Sequence, residues 1–324
     1  MPSPELLPAI IGAVLGFAAM LWTGWHLSSR WSGYPGRKKW IVGVAFGLFQ
    51  IFYWINVYAW LIEPNTLVVR RVTIVSEQWQ GAPLTIAAIA DTHVGSPHVN
   101  AARMGSIVRR VNRLHPDLVV LLGDYAGGHQ REEQRSGAEQ QEITGGIATF
   151  AALTPRYGVV GVLGNHDSWY NRTSITQAME QAGIAVLRNR NVTIGREGGD
   201  FVVAGIADAD TDQPDFTAAL DGAEGQDTIV LSHSPDPFAQ MPRGPALMLA
   251  GHGHCGQVTI PFVGRPILPL RNRNYGCHMV SEGGKQMYVS AGIGTSIVPV
   301  RFLNPPEIVL VTLRSAAPEP PMQG

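Results

Sequence analysis

Leu84-Thr85-Ile86-Ala87-Ala88-Ile89-Ala90 is a short, largely apolar run that stops at Asp91-Thr92-His93. A run of this kind bounded by polar residues reads as a buried strand. The same arrangement recurs four times. Residues 118–122 run into Gly123-Asp124, 159–163 into Gly164-Asn165-His166-Asp167, 229–231 into Ser232-His233, and 247–250 into Gly251-His252-Gly253-His254. Open α/β sheets gather their functional groups beyond the carboxyl ends of their strands. The five runs therefore place three aspartates, an asparagine and five histidines at one edge, half of the ten histidines in the chain.

Around these runs the pattern is short apolar stretches separated by Gly, Pro, Asn and Asp. It predicts strands at 67–75, 84–90, 118–123, 158–164, 201–206, 228–232, 247–251, 257–260, 287–291 and 307–313. Met104, Ile107, Val108, Val111 and Leu114 recur at helical spacing within 102–114, and 143–153 and 174–182 are weaker helical stretches. Alternating strands and helices imply an α/β core. The many late strands with few helices point to a second sheet, hence a layered α/β sandwich and not a barrel. Residues 127–142 are polar and read as a loop or a solvated helix, and 315–324, with three prolines, as a disordered tail. The expected domain is thus 66–314.

The first 65 residues are a different kind of sequence. Of 324 residues only 15% are charged, well below the roughly 25% usual for a soluble domain. Residues 1–62 hold one acid, Glu5, against Arg30, Arg37, Lys38 and Lys39, a net +3, while the rest is net −4. No charge occurs in 6–29 or 40–62, and each run exceeds the ~20 residues that span a bilayer as a helix. Six of the eight tryptophans lie in 22–60, in the manner of interfacial belts. A cleaved signal peptide fits poorly, because the first residues lack a positive segment. The expectation is a transmembrane hairpin of helices at about 6–28 and 40–62. The basic connecting loop then lies in the cytosol and the large domain on the outer face of an inner membrane. Arg70 and Arg71 pull the other way.

Imidazole with carboxylate suits Mn, Fe, Zn or Co more than a Ca or Mg cage. Seven ligands exceed one tetrahedral site but suit two metals sharing a carboxylate, a centre that activates water and clamps an in-line phosphoryl displacement. Each motif alone is weak; a lone Gly-Asp is ordinarily a turn, and a lone histidine a satisfied polar residue. The ordered set is specific.

Asp-x-His, Gly-Asp, Gly-Asn-His-Asp, His and Gly-His-x-His in this order resemble the calcineurin-like metallophosphoesterase superfamily, across roughly 67–314. Residues 251–266, 292–302 and Pro305-Pro306-Glu307 resemble its membrane-anchored bacterial branch. That branch includes enzymes similar to UDP-2,3-diacylglucosamine pyrophosphatases, which cleave a lipid A precursor. The resemblance implies an α/β/β/α sandwich and two divalent ions, Mn, Fe or Zn. It puts Asp91, His93, Asp124 and His254 on the first metal, and Asp124, Asn165, His233 and His252 on the second. His166 would face the leaving group as general acid, with Asp167 orienting its ring. Gly253 stands where this branch often has Thr, a position that does not coordinate.

Other residues carry less. Cys255 and Cys277 are too few for a disulfide scaffold; Cys255 reads as a small packed residue, or as half of a Cys255–Cys277 disulfide if the domain is exported. Arg271, Arg273 and Arg301 read either as phosphate contacts or as surface arginines. His98, His115 and His129 read as ordinary, and Arg109-Arg110 as a solvated face. The expected activity is a membrane-anchored phosphodiester or pyrophosphate hydrolase, with a lipid-linked substrate plausible beside the bilayer. Against a phosphoprotein phosphatase, the chain has Gly123-Asp124-Tyr125-Ala126-Gly127-Gly128 where that branch has Gly-Asp-x-x-Asp-Arg-Gly. Net −4 over the large domain gives no track for nucleic acid, and no protein partner is evident. A non-catalytic membrane receptor on this scaffold would have lost ligands, and here all are present.

Overall fold

The computed structural model describes residues 6–316. Two helices come first, α1 (Leu7–Arg30) and α2 (Gly36–Val57), followed by a π-helical turn over Tyr58–Ile62 and a 3-10 turn over Glu63–Asn65. α2 begins before residue 40 and takes Arg37, Lys38 and Lys39 into its first turn. The helices lean together through Tyr53, whose hydroxyl donates to the Ala13 carbonyl at 2.6 Å. Their apolar side chains otherwise stay uncovered, with Trp40 78% and Trp25 68% exposed.

The large domain contains β1 (Val68–Ser76), β2 (Leu84–Ile89), α3 (Ala101–Asn112), β3 (Leu118–Leu121), α4 (Gly137–Ala148), β4 (Val159–Gly161), α5 (Asn165–Gln181), β5 (Ala185–Val186), β6 (Arg190–Ile194), β7 (Phe201–Gly205), α6 (Phe216–Ala219), β8 (Asp227–Leu231), β9 (Leu247–Ala250), β10 (His278–Glu282), β11 (Lys285–Val289) and β12 (Glu307–Ser315). They form two six-stranded sheets, ordered β1-β12-β2-β3-β4-β5 and β10-β11-β9-β8-β7-β6. β2 to β5 run parallel, as do β7, β8, β9 and β11.

Alternation along the strands builds the layers. Ala87, Ile89, Val119 and Leu121 pack with Met104, Val108, Ile147 and Ile175 of α3, α4 and α5. Ile86, Ala88, Val120 and Leu122 face the second sheet, meeting Val203, Ile229, Leu231 and Leu249. The far side of that sheet, with Ala204, Val230 and Met248, is covered by Phe238, Ala219 and Tyr275. Buried on both faces, the strands read as continuous apolar runs. The result is the expected α/β/β/α sandwich.

The differences from the sequence reading are local. Residues 257–260 form no strand of either sheet and make only isolated bridges, Val258 with Phe302 and Ile260 with Gly264. Cys255, Gly256 and Gln257 all sit at positive φ (50°, 78° and 55°), so the chain turns there and does not extend. α4 starts well before 143, inside the stretch read as polar, because Ser136 and Glu139 form a reciprocal capping box. α5 starts at Asn165, shortly after β4 ends at Gly161, and changes direction at Asn171. β5, β6 and β10 went unanticipated. β12 extends one residue past 314, and residues 317–324 of the expected tail lie outside the described residues.

Candidate metal centre

The carboxyl ends of β2, β3, β4, β8 and β9 meet where the two sheets face each other, and the expected donors converge there. Five of the seven, Asp91, His93, Asp124, His252 and His254, hold left-handed backbone at φ between 46° and 66°. Such a conformation is costly in non-glycine residues and clusters at functional sites. Gly123 makes the crowding possible: at φ +90°, a Cβ on it would lie 2.6 Å from the Gly164 nitrogen and 2.8 Å from His233 Nδ1.

The donors form two groups with Asp124 between them. In the first, His93 Nε2 lies 3.0 Å from His254 Nε2 and 3.7 Å from Asp124 Oδ2, and His254 Nε2 lies 3.7 Å from Asp91 Oδ1. In the second, His233 Nε2 is 3.2 Å from Asp124 Oδ2 and 3.0 Å from Asn165 Oδ1, and His252 Nδ1 is 3.0 Å from that same amide oxygen. The His233 ring is fixed by its Nδ1 against the Leu122 carbonyl, 2.8 Å away. His252 Nε2 lies 3.3 Å from Asp210 Oδ2 and 3.2 Å from the Pro269 carbonyl. Bonds of this kind orient metal-binding imidazoles.

This donor set fits divalent cations. Burial, aided by the neighbouring His166, lowers His93 to about 3, and burial with His93 and Arg301 holds His254 well below its ordinary value, so both rings are neutral as ligands must be. The two imidazole nitrogens 3.0 Å apart, with the Asp91 and Asp124 carboxylates beside them, are donors that one cation can share. Burial pushes the Asp91 carboxyl up to about 7. Burial alone would raise Asp124 too, but His233, His166 and His93 together keep it well below the carboxylate range. His233 is drawn well above its usual value by Asp124 despite its burial.

His166 stands at the edge of the first group. Its Nδ1 donates to the Gly128 carbonyl at 2.7 Å, and its Nε2 lies 3.5 Å from Ser296 Oγ. Asp167 does something other than orient that ring, which corrects the expectation. Its carboxylate accepts four backbone N–H groups, from Asp124 (2.8 Å), Tyr125 (2.7 Å), Ala126 (3.1 Å) and Gly164 (2.9 Å). It pins the loop carrying Asp124 to the first turn of α5.

Arg301 also differs. It is fully buried, and its guanidinium donates to the carbonyls of Ala291, Gly294 and Asn304, so it is no substrate contact. Arg271 is exposed and reaches Asp210 at 3.8 Å; Arg273 donates to the Arg265 carbonyl. Cys255 and Cys277 form a disulfide beside His254. His98, read as ordinary, joins the loop before Arg301 to the end of the hairpin through Pro299 and Asn65.

Sequence reasoning missed Asp210, His129 and Trp169. Asp210 follows β7, so the strand-end rule applied to a sixth strand would have found it. His129 stacks on Trp169 with centroids 5.6 Å apart, and both rings lie within 5 Å of the His166 ring. No spacing signal marks those two, since a loop and a helix bring them together.

The calcineurin-like phosphoesterase family profile matches residues 84–256. An uncharacterized metallophosphoesterase of Aquifex aeolicus is 30% identical over 78% of this chain and 94% of its own length. The phosphodiesterase YaeI of Escherichia coli is 27% identical, over 79% of this chain and 92% of its own. A transmembrane protein with metallophosphoesterase domain from Danio rerio is 28% identical, over 72% of this chain and 54% of its own. With the matched profile spanning all five strand-end motifs, the chain belongs to the calcineurin-like phosphoesterase family and is a metal-dependent phosphoesterase.

Proposed function

We propose that the protein is a membrane-anchored, two-metal hydrolase of phosphodiester or pyrophosphate bonds, acting on a lipid-linked substrate at the outer face of an inner membrane. The observation that carries the chemistry is the pair of donor groups sharing Asp124, with the His166 ring at their edge. Asp91, His93, Asp124 and His254 would hold one ion, and Asp124, Asn165, His233 and His252 the other. Two bound divalent ions supply the charge that ionises a water and offsets the phosphoryl oxygens.

His166 supplies the proton. With Nδ1 committed to Gly128, a protonated His166 presents Nε2–H to the oxygen that departs as the new P–O bond forms on the opposite side. Asn165 and His166, adjacent in the chain, thus take different duties.

The anchor reading rests on the two long apolar helices left uncovered by protein. Orientation rests on the basic loop between them, and on the Cys255–Cys277 disulfide, a bond that persists in oxidising compartments. Short connection to α2 favours a substrate presented by the bilayer.

The test is a substrate panel on purified full-length protein loaded with Mn, Fe or Zn: an aryl phosphodiester, an aryl phosphomonoester and UDP-diacylglucosamine. Turnover of the diester or the pyrophosphate above the monoester supports the reading; preference for the monoester moves it to the phosphomonoesterases. His166→Ala should keep its metals and lose about 10²–10⁴ in rate with a poor alkoxide leaving group, and much less with nitrophenolate. An equal loss across leaving groups removes His166 from the acid role.

A further inference from the structure

Beyond the hairpin, ten large hydrophobic residues are exposed among the described residues, and seven of them lie in two loops, 258–267 and 296–303. Phe262 is fully exposed, Ile297 76%, Val263 70% and Ile267 64%, with Ile260, Val298 and Leu303 beside them. Phe262, Ile297 and Leu303 hold φ of 68°, 65° and 55°. For a β-branched residue such as Ile297 that is a marked outlier. The fold holds these side chains outward at some expense in strain.

The two loops are one surface. Thr259 N donates to the Phe302 carbonyl at 2.8 Å and Phe302 N to the Gln257 carbonyl at 2.9 Å. Gln257 also clasps Ser296 through both of its amide atoms. This surface is fastened to the end of the second apolar helix. Arg301 N donates to the Ala59 carbonyl at 3.0 Å, the rings of Tyr58 and Phe302 meet at 6.2 Å, and the buried Glu63 carboxylate accepts from Leu303 N and Asn304 N. It is equally close to the chemistry. Gly294 packs on His93, and Ser296 lies beside His166. Arg265 lies within the first loop, and Arg273 donates to its carbonyl, so two arginines add positive charge to this surface.

We propose that these two loops form an apolar collar that seats the catalytic domain on the bilayer entered by α2, so that the metal centre opens at the level of the lipid headgroups. Apolar tips flanked by arginines match an interface that is hydrocarbon below and anionic phosphate above. Continuity with the helix end selects the lipid surface as occupant over a second copy of the chain or another protein. The proposal rests on reading the hairpin as membrane-spanning, and it specifies the substrate class as one whose phosphate lies in the headgroup layer.

The test uses full-length protein in nanodiscs of mixed phosphatidylcholine and phosphatidylglycerol. Nitroxide labels are placed by Phe262→Cys, Ile297→Cys and, as control, Glu224→Cys, which precedes β8 at the sheet edge away from the metal ligands. Labels at 262 and 297 should be more accessible to oxygen than to a soluble nickel chelate, with the reverse at 224. Water-like accessibility at both loop sites overturns the collar. So does spin–spin broadening that vanishes on dilution with unlabelled protein, which assigns the surface to a second copy. In parallel, the double variant Phe262→Ser/Ile297→Ser should lose about tenfold or more in kcat/KM on a lipid nitrophenyl phosphodiester in the nanodisc. It should keep its rate on soluble bis(nitrophenyl) phosphate; equal loss on both overturns the interfacial role. Lipid accessibility of the labels without diesterase activity would uphold the collar and sink the proposed substrate class instead.

Discussion

Replacing Asp167 by asparagine tests what that carboxylate does. It is completely buried, and its hydrogen bonds go to backbone amides. One oxygen accepts from Tyr125 and Ala126, the other from Asp124 and Gly164. In Asp167→Asn one oxygen becomes an NH2, so two buried N–H groups face a donor. Each unsatisfied buried donor costs about 1–3 kcal/mol, which puts the loss near 2–6 kcal/mol. For a domain of about 250 residues, 1 kcal/mol moves Tm by about 2–4 °C, so the melting point should drop by roughly 5–20 °C. Metal content should fall with it, because the amide of Asp124 is one of those released. Calorimetry of the detergent-solubilised chain and elemental analysis of bound metal read both effects. If Asp167 instead orients the His166 ring, Asp167→Asn would melt like the parent, keep its metals and lose rate only with poor leaving groups. That outcome would falsify the cap described here.

Asp124→Ala should lose bound metal and nearly all turnover; two tightly held ions with normal activity would refute its shared position. Metal binding should release protons near neutral pH and tighten as pH rises. In the metal-free protein burial holds Asp91 protonated up to about 7, and Asp124 keeps His233 protonated above its usual range, so the cation must displace protons. Titration of metal into weakly buffered apo-protein at pH 6.5 measures the release, and affinity that weakens with rising pH contradicts it. Asp210→Ala should weaken one of two metal-binding steps by about 10–100-fold, the usual effect of removing a partner behind a metal-bound histidine; calorimetric titration showing both steps unchanged removes Asp210 from that role. A reporter active only outside the cytosol should work when fused after Gly324. If only a cytosolic reporter works there, Arg70 and Arg71 outweigh the basic loop and the domain faces inward.

The fold class and the cluster of candidate donors were legible in the sequence, since both are written in local pattern. A strand buried on both faces must be apolar along its length, and the chain must leave it at a polar turn. Asp91, Asp124, Asn165, His233 and His252 are thus each marked by the run before them. The two uncharged stretches are legible for the same local reason. The tertiary structure alone decided which groups serve one another. Asp167 sits next to His166 in the chain but turns to the amides of a loop some forty residues earlier, while Gly128 takes the ring. Arg301 looks like any arginine in sequence; burial makes it a brace behind His254. β5, β6 and β10 have weak patterns, being short or at sheet edges, and pairing defines them. The disulfide partners and the apolar collar likewise depend on loops that meet only once both sheets have closed. Periodicity records burial, but a partner far along the chain leaves no mark on the residues between.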